Sequence, residues 1–195
     1  MSDSSAPVSG KTCQVKTLPL CTPEDLAPLL EALRENRPVP ESLVFPRGTL
    51  LPDGRLDLCK QALGPDGTRL VTRALQGNQQ VKNLLMGADQ MGPEGAFAVA
   101  ELLSQGSALR TVFLGCNAIG PAGANALCRA LETNSTVQGL WLKRNQLGPE
   151  GARALAALLR CSTTLRTLDL VTNDLGVEGV AELVDALCAA RGPLE

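Results

Sequence analysis

Apolar residues return along this chain in two alternating rhythms. Val81–Gly92 reads VKNLLMGADQMG, with apolar side chains at Val81, Leu84, Met86 and Met91. Leu109–Gly120 (LRTVFLGCNAIG), Val137–Gly148 (VQGLWLKRNQLG) and Leu165–Gly176 (LRTLDLVTNDLG) repeat the frame, and Asp53–Gly64 (DGRLDLCKQALG) is a weaker copy. Each copy starts 28 residues after the one before. Alternation at every second residue predicts a short strand with one face in a core. After each closing glycine come PDG, PEG, PAG, PEG and VEG, and then the apolar period lengthens. Ala96, Val99, Ala100 and Leu103 fall at i, i+3, i+4 and i+7. So do Ala124, Leu127, Cys128 and Leu131, then Ala152, Leu155, Ala156 and Leu159, then Val180, Leu183, Val184 and Leu187. Each set is one face of a helix. In the first copy Thr68 and Thr72 stand on that face, which predicts poorer packing there.

One strand and one helix cannot bury their faces alone. Stacked neighbours do so together, with the strands in a parallel concave sheet and the helices on the convex side. The fold class is therefore α/β, a right-handed solenoid bent into a short horseshoe. One polar position recurs inside the frame, as Asn117, Asn145 and Asn173. A buried Asn there can satisfy backbone groups of adjoining turns and build a ladder. Gln61 and Asp89 hold the position in the first two copies. Asp89 would carry a buried charge unless it is well hydrogen-bonded.

The flanks lie outside the period. Residues 1–19 are expected to be disordered. Residues 20–52 are read as a cap over the first repeat, and 53–195 as five repeats. Within the cap, Thr22–Arg34 (TPEDLAPLLEALR) reads as a helix with Thr22 as N-cap and Pro23 in the first position. Ser42–Leu58 reads as strand, turn, strand, with PDG as the turn. After Leu187 only CAARGPLE follows, so the last repeat is expected to be bare, or covered by a partner or a second copy.

The alternation sends a second set of strand residues to the concave surface. Its middle column reads Asp57, Leu85, Phe113, Trp141, Asp169. Adjacent strands lie about 4.8 Å apart, so Leu85, Phe113 and Trp141 should form one apolar ladder with acids at both ends. Gly87 and Gly115 are expected to leave the rings open on one side. Apolar patches rimmed by polar groups mark interaction sites, and Trp is enriched where binding energy concentrates. The competing reading is that the three side chains only stabilise the sheet across strands. The candidate partner-binding residues are Leu85, Phe113, Trp141, Asp57, Lys143 and Asp169. Lys143 and Arg144 would form a cationic rim beside the Trp, or remain an ordinary solvated pair. Asp57 and Asp169 lie four strands apart, too far for joint acid–base work.

Composition narrows the chemistry. The chain has no histidine and no tyrosine, which removes the commonest general base and metal ligand. No catalytic residue, metal site or cofactor is expected. The net charge of −2 argues against nucleic acid or an anionic membrane as a partner. Seven cysteines without close pairing, and no export signal, point to reduced thiols and a cytoplasmic protein.

The stretch Leu147–Gly176, LGPEGARALAALLRCSTTLRTLDLVTNDLG, and its copies resemble the ribonuclease-inhibitor-like class of leucine-rich repeats. The resemblance covers roughly residues 53–191. Ribonuclease inhibitor, NOD-like receptor sensor regions, the Ran GTPase-activating protein and tropomodulins share this design. The resemblance implies a horseshoe that binds another protein on its surface, with self-association through the uncapped last repeat as a further expectation. The alternative it implies is a regulator of a GTPase or other enzyme, as for the Ran GTPase-activating protein.

Overall fold

The computed structural model describes residues 18–189. The expected disorder of residues 1–17, and Cys13 with it, lies outside the described residues. Helix α1 spans Pro23–Glu35. The Thr22 side chain accepts from the Asp25 N–H, and the Asp25 carboxylate accepts from the Thr22 N–H, each at 3.2 Å. This reciprocal cap satisfies two of the orphan donors of the first turn.

The stretch Ser42–Leu58 holds two turns where one was expected. Strands β1 (Leu43–Val44), β2 (Thr49–Leu50) and β3 (Arg55–Asp57) pair antiparallel in sequence order. The extra turn is Phe45–Gly48, with Pro46 at its second place and Gly48 at φ +92°. Arg47 in that turn reaches the Asp25 carboxylate at 2.9 Å and the Gln61 carbonyl at 3.0 Å. It thereby ties the hairpin to α1 and to the first repeat.

From β3 onward the chain alternates helix and strand. The order is α2 (Gly64–Ala74), β4 (Asn83–Leu85), α3 (Gly92–Ser104), β5 (Thr111–Phe113), α4 (Gly120–Glu132), β6 (Gly139–Trp141), α5 (Gly148–Cys161), β7 (Thr167–Asp169) and α6 (Gly176–Ala189). Strands β3 to β7 are parallel neighbours in sequence order within one seven-stranded sheet. The pairing register is the sequence period: Leu56, Leu84, Val112, Leu140 and Leu168 stand side by side. The glycine that opens each helix has φ between +61° and +69°, a conformation that other residues adopt only with strain. A proline follows it in the first turn of α2 to α5.

One continuous core runs between sheet and helices. The helix faces read from the sequence are buried in α3, α4 and α5. Thr68 and Thr72 of α2 are buried as well. Their hydroxyls donate to the carbonyls of Gly64 (2.7 Å) and Arg69 (3.1 Å), so neither is left unpaired. In α6 the same pattern behaves differently. Leu183 is buried, but Val180, Val184 and Leu187 are 48–51% exposed, because no further repeat covers them among the described residues.

Candidate functional site

The concave sheet surface carries the predicted column. Asp57, Leu85, Phe113, Trp141 and Asp169 are direct cross-strand neighbours from β3 to β7. All five are partly exposed, while Leu56, Leu84, Val112 and Leu140 beside them are fully buried. The pleat thus separates core from surface at every second residue.

The two aromatic rings do not stand as parallel rungs. Phe113 lies down toward the strand ends, over its own chain and that of β4. A Cβ at Gly87 would meet its ring at 2.5 Å, and a Cβ at Gly115 would meet it at 3.2 Å. Gly87 and Gly115 therefore do not leave the rings open; they are the floor on which Phe113 rests. Trp141 leans the opposite way, toward the start of its own strand, and its ring occupies the space a Cβ of Gly139 would need. Bare backbone beneath each ring explains how both become half-buried on an outer face.

Phe113 divides the concave surface into two hollows. The one at the strand starts encloses about 340 Å³ and is lined by Asp53, Arg55, Asn83, Leu85, Thr111, Phe113 and Trp141. The one at the strand ends encloses about 420 Å³. Its apolar floor is Phe113, Gly87 and Gly115, and Lys60, Lys143 and Arg144 stand around it. Lys143 sits over Phe113, with its Nζ 5.4 Å from the ring centroid. Its aliphatic stem lies within 3.0 Å of where a Gly115 Cβ would be.

The flanking acids have a local task that the alternation pattern does not show. Asp57 Oδ1 accepts from the Cys59 N–H at 3.1 Å, and Asp169 Oδ1 accepts from the Val171 N–H at 3.0 Å. Each closes an Asx turn at the end of its strand. The signal was available: both are Asp two residues before the chain bends away.

Cys59 and Cys116 face the larger hollow. Burial pushes the Cys59 thiol up to about 11, although its sulfur accepts from the Gly87 N–H. Burial pushes Cys128 on α4 up to about 12. Neither has the lowered pKa of a reactive cysteine. Among the described residues no group of three or more His, Cys, Asp or Glu is placed to hold a metal ion, and no helix is long and apolar enough to cross a membrane.

Behind the sheet the asparagine ladder is continuous. Asn117, Asn145 and Asn173 each accept, through Oδ1, from the backbone N–H one repeat earlier: Asp89, Asn117 and Asn145, at 2.7–2.8 Å. Their Nδ2 groups donate to carbonyls of their own and the preceding repeat, such as Leu142 and Leu114 for Asn145. Asp89 Oδ1 continues the row by accepting from the Gln61 N–H at 2.8 Å. Its Oδ2 occupies the place where the asparagines donate, and it is buried without a partner. Burial raises the Asp89 carboxyl to about 7, against the pull of the Gln61, Leu63 and Ala62 N–H groups. A second polar row, not foreseen from the sequence, closes the opposite end of the repeats. Asn78 and Asn134 each accept from two backbone N–H groups at 2.9 Å and donate to Leu33 and Leu103 carbonyls.

No curated protein sequence matches the chain. A leucine-rich-repeat family profile matches residues 108–128, 133–156 and 161–184. Among solved structures, the actin-binding site 2 of leiomodin-1 superposes with a TM-score of 0.68 at 21% identity, over 86% of this chain and 90% of that one. The C-terminal domain of tropomodulin from Caenorhabditis elegans superposes with a TM-score of 0.60 at 14% identity, over 85% of this chain and 92% of that one. At such identities the likeness speaks for the fold. Together with the 28-residue register, the parallel sheet and the buried asparagine row, it gives this chain the fold of a leucine-rich-repeat solenoid, similar to the ribonuclease-inhibitor-like class.

Proposed function

We propose that the chain is a non-catalytic scaffold that binds another protein on its concave sheet face. The supporting observation is the register of Leu85, Phe113 and Trp141, three apolar side chains held side by side on the face the core does not use. Rings resting on glycines of a hydrogen-bonded sheet are ordered before a partner arrives, which lowers the entropy cost of association. The similar region of leiomodin-1 is an actin-binding site, so actin is the first partner to test. The purified chain is expected to co-sediment with actin filaments, and Trp141→Ala to bind at least tenfold more weakly while remaining folded. Failure to co-sediment would remove actin; equal binding by Trp141→Ala would remove the concave face.

A second copy is the other partner with direct support. Beyond the exposed Val180, Val184 and Leu187, the last repeat has a row of backbone donors with no following strand among the described residues. In each earlier repeat the N–H groups matching Leu170, Thr172, Asn173 and Gly176 bond to the next repeat, as Leu142, Arg144, Asn145 and Gly148 do. Sedimentation over a concentration series is expected to show a reversible dimer that Val184→Lys abolishes. A strict monomer at every concentration would refute it.

A further inference from the structure

We infer that the larger concave hollow receives an acidic segment of the partner protein, with an apolar side chain packed on the Phe113 floor and carboxylates meeting Lys60, Lys143 and Arg144. This rests on the concave-face reading above and names the chemistry of its occupant. The lining supplies three cations and no carboxylate. Among the described residues Lys60, Lys143 and Arg144 form no ion pair, unlike Arg47 with Asp25, Arg69 with Asp66 and Arg153 with Glu182. Two acids of the same surface, Asp57 and Asp169, are turned to the Cys59 and Val171 amides at the strand ends.

The rest of the hollow is apolar: Phe113, Val171, two glycines, Ala88 and two thiols. A free carboxylate or phosphate would leave that floor unfilled, whereas an apolar side chain flanked by acids fills both halves. Lys143 now rests its ammonium on the ring face. A carboxylate is a stronger partner for an ammonium than a ring is, so an incoming acid would draw Lys143 off and uncover Phe113. The other hollow differs in charge, since Asp53 and Arg55 balance there. The acidic contact should therefore be confined to the strand ends.

The experiment uses the full chain and a fluorescein-labelled peptide, acetyl-Glu-Glu-Phe-Glu-Glu, read by anisotropy. Its glutamine analogue, acetyl-Gln-Gln-Phe-Gln-Gln, and its acidic but non-aromatic analogue with Ala at the centre are the comparisons. The expected result is saturable binding of the first peptide. Either comparison should bind on the order of tenfold more weakly, and so should Lys143→Gln/Arg144→Gln with the first peptide. Binding should also fall with added salt. Lys60 and Arg144 are exposed and Lys143 is partly exposed, so the fold is expected to hold, and a triple variant including Lys60→Gln extends the series. Equal binding of the glutamine analogue, no loss in the double variant, or no binding of any peptide would overturn the acidic-segment inference. Actin binding that depends on Trp141 would still stand in that event; its loss as well would bring down the concave-face reading itself.

Discussion

Replacing Asp89 by asparagine should stabilise this protein, and increasingly so as pH rises from about 4 to about 7. The carboxyl rises from its ordinary 3.8 to about 7, chiefly by burial, and its Oδ2 has no partner. Below about pH 4 the carboxyl is protonated in both the folded and unfolded states, so it imposes no penalty. Between about 4 and 7 the unfolded chain ionises while the folded one keeps its proton. The folded state then binds more protons, and stability falls as pH rises. Above about 7 the penalty is complete, at about 4 kcal/mol for a rise of that size.

Asparagine has no proton to lose, and it supplies the donor the other repeats use. By the repeat register its Nδ2 would face the Met86 and Leu58 carbonyls. Met86 already accepts from Asn117, but Leu114 shows that one carbonyl accommodates two such donors, from Asn117 and Asn145. Urea unfolding followed by Trp141 fluorescence at pH 5, 6, 7 and 8 compares the two proteins. The gain for Asp89→Asn is expected to be about 1.5 kcal/mol at pH 5 and to grow to about 4 kcal/mol at pH 8. A gain that does not change with pH, or a loss at pH 8, would refute the buried, unpartnered carboxyl as the source.

Three further outcomes follow from the same geometry. Gly139→Ala would place a Cβ where the Trp141 ring lies; the ring must leave, with red-shifted emission, stronger acrylamide quenching and a cost of about 1–3 kcal/mol. Asn145→Ala removes the acceptor for the Asn117 N–H and the donor to two buried carbonyls, so denaturant midpoints should register a loss of about 3 kcal/mol or more. Among the described thiols, exposed Cys161 and Cys188 should react with a disulfide reagent at pH 8 well before Cys128, which is buried, pushed up to about 12 and expected to react only on unfolding; prompt native labelling of Cys128 would contradict its place in the core.

What was legible in the sequence is what repeats. Leu84, Val112 and Leu140 mark one side of each strand, and Ala96, Ala124 and Ala152 one face of each helix, because each must meet its equivalent 28 residues away. The asparagine row was legible for the same reason. What escaped was local or aperiodic. The turn at Phe45–Gly48 joins strands of only two residues, too short for alternation to show. The lean of Phe113 and Trp141 depends on which neighbouring position lacks a Cβ, and that position differs between the two repeats. In α6 the pattern of Val180, Val184 and Leu187 matches the buried faces of α3 to α5, yet these side chains are exposed. Periodicity encodes a face that asks for a neighbour, not the neighbour's presence.

The forward hydrogen bonds at the strand ends also set an order in which the molecule should come apart. If β7 and α6 detach, the amides of Leu142, Arg144, Asn145 and Gly148 lose their acceptors at once. The repeat before then becomes the new end, with the same defect. Amides of Leu58 and Lys60 are reached only after several such steps, since their acceptors Leu85 and Gly87 sit deep in the stack. Deuterium uptake should therefore run as a clock along the chain, fastest for the amides that β7 protects and slowest near α1. Whatever binds the end face would stop that clock from its first tick.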